Sequence, residues 1–423
     1  MINQEKLKEQ RGFWQEYGLL TLYITAFFVL LLARDAYSVS VNKYILLALA
    51  CLSVVTLSTD KLIGLFCFLF PLYVGLPGNY MTLLLIVRLL VDINNIRFKV
   101  TSLLLTACVC LFVFVQNVIL GYTGIVYMVY IAGILLILLI FSYRGRLSRV
   151  MLITAFSAGV AALGFIMLTA TLQVYEISEL MTSFQRLGAE ATNYAAAGIM
   201  NVSIDPNFYG TFVIAAVSTA FPLIADKQVT RSTRIFLIVM SVISVVVCMV
   251  GLSRAAVLML AVWVVMYILF QRGAKIAWLI LALAAVMLVA MPDVMDALFS
   301  RFEEDNMATG NGRTGLIERF YGEWKETPIT LLVGVGLFKC NVHCTPLQFL
   351  FGGGILLLLL VVMLMISYIP KSTGSFKLSE SLSFWITLGM MSTVPAAGLL
   401  NFMFPLVYTG LVLVTKEKGY EKA

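Results

Sequence analysis

Long apolar stretches recur along this chain and constrain its fold more than any other feature. Hydrophobic residues make up 61% of it and charged residues only 12%, whereas a soluble domain carries roughly 25% charge. A helix satisfies its own backbone hydrogen bonds in hydrocarbon, so each stretch predicts a membrane helix. The sequence therefore predicts an all-α, polytopic membrane protein.

The stretches are spread over the whole chain and predict a single integral membrane domain over residues 1–423. Several of them are shorter than the roughly 20 residues that cross a bilayer, so we expect about 12 to 14 transmembrane helices. We also expect Pro71, Pro77, Pro395 and Pro405 to interrupt four of them. The stretches cover residues 19–33, 44–58, 62–76, 80–91, 101–120, 125–142, 150–172, 206–225, 235–251, 255–270, 276–291, 346–369, 382–398 and 402–415.

The distribution of positive charge predicts an orientation. Most Lys and Arg residues fall in short loops on one side, which the positive-inside rule makes cytoplasmic, together with both termini. The net charge of +7 follows from this bias, so it gives no reason to expect a nucleic-acid partner. Two longer segments, 173–205 and 292–345, fall on the outer side. The second is predicted to contain an amphipathic helix over about 314–325 and to fold back on the bundle.

Four groups of polar residues are predicted at the outer ends of the helices. They are Arg186 with Asp205-Pro206-Asn207, Ser253-Arg254, Asn311-Gly312-Arg313, and His343, the one histidine of the chain. Folding is expected to bring them around one cavity that faces the outer leaflet. Arginine stays protonated and binds phosphate oxygens in a fork, so this set suits a lipid-linked anionic substrate. A histidine with an ordinary pKa of about 6.5 can accept a proton from a hydroxyl group.

Each of these residues also has an ordinary structural interpretation. Arg254 can extend to the membrane interface from a helix end, and Arg313 and Arg186 can be solvated or headgroup-facing charges. Asp205 can cap a helix N-terminus, with proline at the first helical position. His343 can be a surface loop residue.

Two cysteines, Cys340 and Cys344, fall in the outer segment beside His343. They predict either a disulfide or free thiols. A zinc site is the other alternative, but the spacing is cramped and a fourth ligand is not evident. We therefore expect no metal and no cofactor.

The order of these motifs resembles the O-antigen polymerase and ligase family of bacterial inner-membrane glycosyltransferases. The resemblance covers about residues 193–368, and it departs from the family at Cys344, where members commonly have asparagine. The motifs are Asp205-Pro206-Asn207, Ser253-Arg254-Ala255, Gly312-Arg313 followed by Trp324, Pro328 before Gly334-Val335-Gly336, and His343 before Leu347-Gln348 and Gly354.

The resemblance implies a C-type glycosyltransferase fold and an inverting, metal-independent reaction on the outer side of the bacterial cytoplasmic membrane. Arg313 and Arg254, with Arg186 as a further candidate, would bind the undecaprenyl diphosphate of a lipid-linked oligosaccharide. His343 would activate the acceptor hydroxyl or hold the leaving phosphate, while Asp205 and Asn207 would have positioning roles. A chain-length regulator and a flippase are the expected protein partners.

Three functions follow as alternatives. Polymerisation of a surface polysaccharide is the first. It is preferred to transfer onto a protein, which uses the same donor, because the chain shows no appended soluble domain for protein acceptors. A ligase that transfers glycan onto a lipid A core uses the same donor. A flippase or transporter of lipid-linked sugars belongs to another class, and it would need ionisable groups or discontinuous helices within the spans. Only Arg88, with Asp92 a turn later, stands clearly inside a span.

Overall fold

The computed structural model describes residues 17–72, 80–121, 125–173, 175–176, 205–226, 229–251, 253–270, 313–368, 378–394 and 400–418. These residues form helices and contain no strand apart from one isolated bridge between Ile96 and Tyr143. The α-helices are α1 (Gly18–Asp35), α2 (Lys43–Thr56), α3 (Thr59–Leu69), α4 (Tyr80–Val91), α5 (Val100–Ile119), α6 (Ile125–Ser142), α7 (Arg149–Leu172), α8 (Pro206–Ala225), α9 (Arg231–Val250), α10 (Arg254–Phe270), α11 (Arg313–Lys325), α12 (Pro328–Val333), α13 (Thr345–Tyr368), α14 (Leu378–Met391) and α15 (Leu400–Lys418).

The helices match the predicted apolar stretches closely, and they confirm a helical membrane protein. Six of them, α1, α5, α7, α8, α9 and α13, are long and apolar enough to cross a membrane. The predicted stretch at 276–291 lies outside the described residues. The total of about 12 to 14 spans stays a prediction, and so do the single domain over 1–423 and the orientation in the membrane.

The expected effect of proline is confirmed at one described position and wrong at another. Helix α3 ends at Leu69, two residues before Pro71. Pro405, however, lies inside α15. Membrane helices tolerate proline where neighbouring groups satisfy the carbonyl that it frees, so a proline does not have to end the helix. Pro77 and Pro395 lie outside the described residues.

The chain divides into two compact units. The first falls within residues 1–85 and 145–297, and its centre is α7, which packs against α1, α3, α8 and α9. Helices α7 and α8 are mostly buried, whereas α9 exposes Ile235, Val239 and Val242. Apolar side chains on the outside of such a bundle suit lipid as the surrounding solvent.

The second unit falls within residues 86–144 and 298–423, and an antiparallel pair, α5 and α13, forms its centre. At one end of the pair, the Nζ atom of Lys99 donates to the carbonyl oxygen of Ser367 (3.1 Å) and the hydroxyls of Ser102 and Ser367 are 2.9 Å apart. At the other end, the side-chain amide of Gln116 donates to the carbonyl oxygen of Gly352 (2.8 Å). The start of α13 therefore lies beside the end of α5.

Helix α13 is not the continuous helix that its apolar sequence predicts. The backbone leaves the helical conformation at Gly354, where φ is 70° and ψ is 178°. The helix is thus two halves joined at a break, and the first half begins two residues after His343. Hydropathy does not show this break, because it depends on contacts with residues distant in the sequence.

Candidate functional site

Helix α11 begins at Arg313 and packs its apolar face on the segment that leads into α13. We call the apolar cluster between them the loop core. It consists of buried Phe320, Val335, Cys340, Val342 and Phe351, with Leu316, Ile317, Trp324, Cys344, Leu347 and Leu350 packed against it. The predicted amphipathic helix and its apolar face are confirmed in this part of the chain.

His343 and Arg313 lie on two elements that meet in the loop core. His343 stands between Val342 and Cys344, both of which pack in the core, and it is itself partly exposed. Arg313 is about one helical turn before Leu316, which packs in the same core. Arg313 is also partly exposed, and it forms no hydrogen bond or ion pair with any residue that the structure describes. A guanidinium and an imidazole are therefore carried by adjoining elements.

The link between α11 and α13 is built from local signals in the sequence. Thr327 and Thr330 cap α12 reciprocally, with Pro328 at its first turn, so the chain turns sharply after α11. The indole Nε1 atom of Trp324 donates to the carbonyl oxygen of Leu331 (3.3 Å), which fixes α12 to α11. Trp324 and Pro328 thus have structural roles here.

Two glycine segments cross at the break in α13. The amide of Val335 donates to the carbonyl oxygen of Phe351, and the amide of Gly336 donates to that of Gly352, both at 2.9 Å. Gly334 and Gly354 have φ values of 77° and 70°, which favour glycine. A Cβ atom on Gly354 would collide with the carbonyl oxygen of Leu332, and one on Gly334 with that of Gly352. We call residues 334–336 and 352–354 the glycine crossing.

Sequence reasoning missed Gln116, which closes this crossing. Its Nε2 atom donates to the carbonyl oxygens of Val333 and Gly352, and its Oε1 atom accepts from the amide of Leu337 (3.2 Å). Gln116 is buried, with only 6% of its surface exposed. The sequence did carry a signal for this residue, since a glutamine inside an apolar stretch such as 101–120 is energetically costly unless its amide forms hydrogen bonds.

Helix α11 is also tied to the loop by charge. The Oε2 atom of Glu323 accepts from the Nζ atom of Lys339 (2.9 Å), and its Oε1 atom accepts from the Nε atom of Arg319 (3.1 Å). The hydrogen bond from Lys339, together with Arg319, lowers the pKa of Glu323 below its ordinary value of 4.5. Arg319 is therefore a solvated, paired charge, as its position on the helix predicts.

We expect Glu323→Gln to lower stability slightly at neutral pH and not at all in strong acid. The folded-state pKa of Glu323 is lowered, so its stabilisation is present above the unfolded pKa and is lost as pH falls through the folded pKa. At pH 7 the effect is at most about 1 kcal/mol, since the pair is near the surface. Thermal unfolding of both proteins in micelles at pH 7 and below pH 3 checks this. An equal difference at both pH values would contradict the assignment.

The two cysteines of the loop are free thiols. Cys340 is buried, with 1% of its surface exposed, and burial raises its pKa to about 11. Burial also raises the pKa of Cys344, which is only partly covered. Cys340, His343 and Cys344 do not come together as a group of possible metal ligands, and no other such group occurs among the described residues.

The other two predicted groups meet within the first unit. Asp205 caps α8 by accepting from the amide of Asn207 (2.7 Å), with proline at the first position, as its structural interpretation predicts. The hydroxyl of buried Ser253 donates to the Oδ1 atom of Asn207 (2.9 Å). This bond joins the N-termini of α8 and α10, and Arg254 is the first residue of α10. Two helix N-termini and an arginine make this region attractive to anions.

The predicted site residues thus fall into separate groups. Arg254, Asp205 and Asn207 belong to the first unit, and Arg313 and His343 belong to the second. Arg186 lies outside the described residues.

An apolar cavity of about 90 Å³ lies within the second unit. Phe349, in the first half of α13, lines it, and so do Phe141 and Tyr368, whose rings stack at 4.6 Å. The other walls come from α5, α6, α14 and α15. Such a cavity stays dry and accepts apolar groups.

Comparison with known proteins found no match for the chain among protein-family models, curated proteins or solved structures. The functional interpretation therefore depends on the residues and contacts of this chain.

Proposed function

We propose that this protein is a glycosyltransferase that polymerises a bacterial surface polysaccharide from undecaprenyl-diphosphate-linked repeat units, as the O-antigen polymerase resemblance implies. One observation carries the proposal. In a helical membrane protein, Arg313 and His343 lie on adjoining elements of one loop core, and Arg313 has no partner among the described residues. A guanidinium that can bind phosphate and an imidazole that can accept a proton are two groups that such a transfer uses.

In the proposed reaction, a sugar hydroxyl of one repeat unit attacks the anomeric carbon of another. The new bond from carbon to oxygen forms as the bond to the diphosphate breaks, with inversion, and the polyprenyl diphosphate leaves. His343 takes the hydroxyl proton. Arg313 binds the diphosphate, where negative charge grows as the bond breaks, so its effect is larger in the transition state than in the ground state.

Three further features support a lipid-linked anionic donor. The paired N-termini of α8 and α10, together with Arg254, favour anions within the first unit. The apolar cavity beside Phe349 in the second unit has room for a short length of aliphatic chain. The many apolar helices supply the lipid environment from which a polyprenyl donor would enter.

The broken helix α13 is the feature that a transporter would also need, because discontinuous helices at the membrane midplane hold substrates in that class. The break is level with Gln116, which lies three residues before the end of α5. At 1.5 Å per residue, the break in α13 is therefore level with a point about 5 Å from the end of α5. Its carbonyls are also bonded within the protein. This arrangement favours a rigid support for the loop over a substrate path.

Polymerase and ligase share the donor and differ in the acceptor. The polymerase remains our proposal because one lipid-linked repeat unit then serves as both donor and acceptor, with no second kind of substrate. In the cell, a flippase would deliver the repeat units, and a chain-length regulator would limit the product.

Purified protein in liposomes, supplied only with undecaprenyl-diphosphate-linked repeat units, tests the proposal. The expected product is a ladder of longer lipid-linked glycans. A ligase would give product only when lipid A core is added. A transporter would give no longer glycan and would move labelled donor across the bilayer. Either of these last two results would overturn the polymerase assignment.

A further inference from the structure

Gln116 uses both polar atoms of its side chain to bind three separate backbone positions. Its amide nitrogen donates to the end of α12 at Val333 and to the first half of α13 at Gly352, while its oxygen accepts from Leu337. Val333 is the last residue of α12, Gly352 lies at the break in α13, where its carbonyl oxygen also accepts from the amide of Gly336, and Leu337 lies in the loop between the two helices. Buried backbone groups need a hydrogen-bond partner, most of all in a membrane protein.

The segment that Gln116 holds is the one that carries His343. Leu337 lies before His343 and Gly352 lies after it, so one side chain fixes both ends of the segment. Within the segment, the side-chain amide of Gln348 donates to the carbonyl oxygen of Cys340 (2.8 Å), which closes a smaller loop around His343. The position of the imidazole therefore depends on a glutamine on another helix.

We propose that Gln116 is a positioning residue for the transfer reaction: it holds the His343 segment at the distance from Arg313 that the reaction requires. This inference rests on the proposed function, and it assigns Gln116 no contact with substrate. The three hydrogen bonds also fix which way the side-chain amide of Gln116 is turned. Its nitrogen faces two backbone carbonyl oxygens, and its oxygen faces a backbone amide.

The packing of α5 on α13 does not depend on Gln116 alone. Lys99 and Ser102 bind Ser367, and the hydroxyls of Thr106 and Tyr368 are 3.3 Å apart, all toward the opposite end of the helix pair. Loss of the Gln116 amide is therefore expected to loosen the loop while the two helices stay paired.

The first test replaces Gln116 with methionine, which has a similar length and no amide. We expect kcat for glycan transfer to fall by at least about tenfold, because a displacement of the order of 1 Å costs a catalytic group much of its effect. The KM for the lipid-linked donor is expected to change by less than about threefold, since Gln116 does not touch it. Ser102→Ala removes a hydrogen bond of the same helix pair at its other end, and it should leave kcat unchanged.

The second test uses the direction of the hydrogen bonds. Gln116→Glu places a carboxyl group opposite two carbonyl oxygens. Only its protonated form can donate to a carbonyl. Relative to wild type at each pH, we expect activity that is low near about pH 8 and that recovers by roughly threefold or more near about pH 6.

The third test needs no glycan transfer. Alkylation of Cys340, followed by mass spectrometry, reports whether the loop core is closed, since this thiol is buried in the wild type. Gln116→Met is expected to increase the alkylation rate about fivefold or more, and Ser102→Ala is not. If Cys340 becomes reactive in Gln116→Met while the wild-type protein makes no polymer, the proposed function fails. The structural part of the inference, that Gln116 holds the His343 segment in place, then still stands.

Wild-type kcat together with a protected Cys340 in Gln116→Met would overturn the inference. If that variant does not fold, the pH profile of Gln116→Glu decides. Recovery at low pH supports the positioning role, and a profile parallel to that of wild type overturns it.

Discussion

Replacing Arg313 with alanine is expected to lower the rate of glycan transfer by about 100-fold or more, the effect of removing one donor that stabilises transition-state charge. Arg313 makes no hydrogen bond or ion pair with the described part of the chain, so its removal leaves no buried partner unsatisfied. The loss is therefore expected in activity, with the thermal unfolding temperature unchanged. Initial rates in liposomes with purified protein measure it.

Arg319→Ala is the matched control, since it removes an arginine from the same helix. Arg319 is exposed and paired with Glu323, so we expect transfer within about twofold of wild type. Arg313→Lys keeps the charge without the fork, and it should recover only part of the activity. Equal losses in Arg313→Ala and Arg319→Ala would show that α11 contributes net charge and no specific binding.

Gly354→Ala is expected to reduce stability by about 3 kcal/mol or more. Two causes add. The backbone at Gly354 has φ of 70°, which disfavours any residue with a Cβ atom. That atom would also collide with the carbonyl oxygen of Leu332, which is backbone and has no side-chain freedom to move away. Thermal unfolding in micelles measures the change.

Gly322→Ala provides the control for a glycine in the same unit. Gly322 lies in α11, and a Cβ atom there has no neighbour within 4 Å. We expect Gly322→Ala to stabilise the protein by up to about 1 kcal/mol through helix propensity. A Gly354→Ala protein as stable as wild type would mean that the glycine crossing does not form.

Much of the fold could be predicted from local patterns. Apolar stretches gave the helices, Asp205 and Pro206 gave the start of α8, and the stripe from Leu316 to Trp324 gave the packed face of α11. Each of these depends on residues close in the sequence, whose spacing alone carries the information.

The break in α13 and the role of Gln116 could not be predicted in this way. Gly354 is one glycine among several in an apolar run, and only the backbone of Leu332 and Gly334 makes its conformation necessary. Gln116 is one polar residue in a predicted span, and its partners lie more than 200 positions away in the sequence. Contacts of such separation leave no periodic signal. The prediction that Arg313 and His343 act together came from their predicted place at the outer helix ends and from the resemblance, and it stays a prediction.

The most direct test of this account compares Arg313→Ala, His343→Ala and the double variant for the rate of glycan transfer in liposomes. If both side chains act on one substrate in one step, the double variant is expected to be about as slow as the slower single variant, because residues that act as a unit are strongly non-additive. A double variant whose loss equals the product of two independent losses, or single variants with wild-type rates, would contradict a shared site.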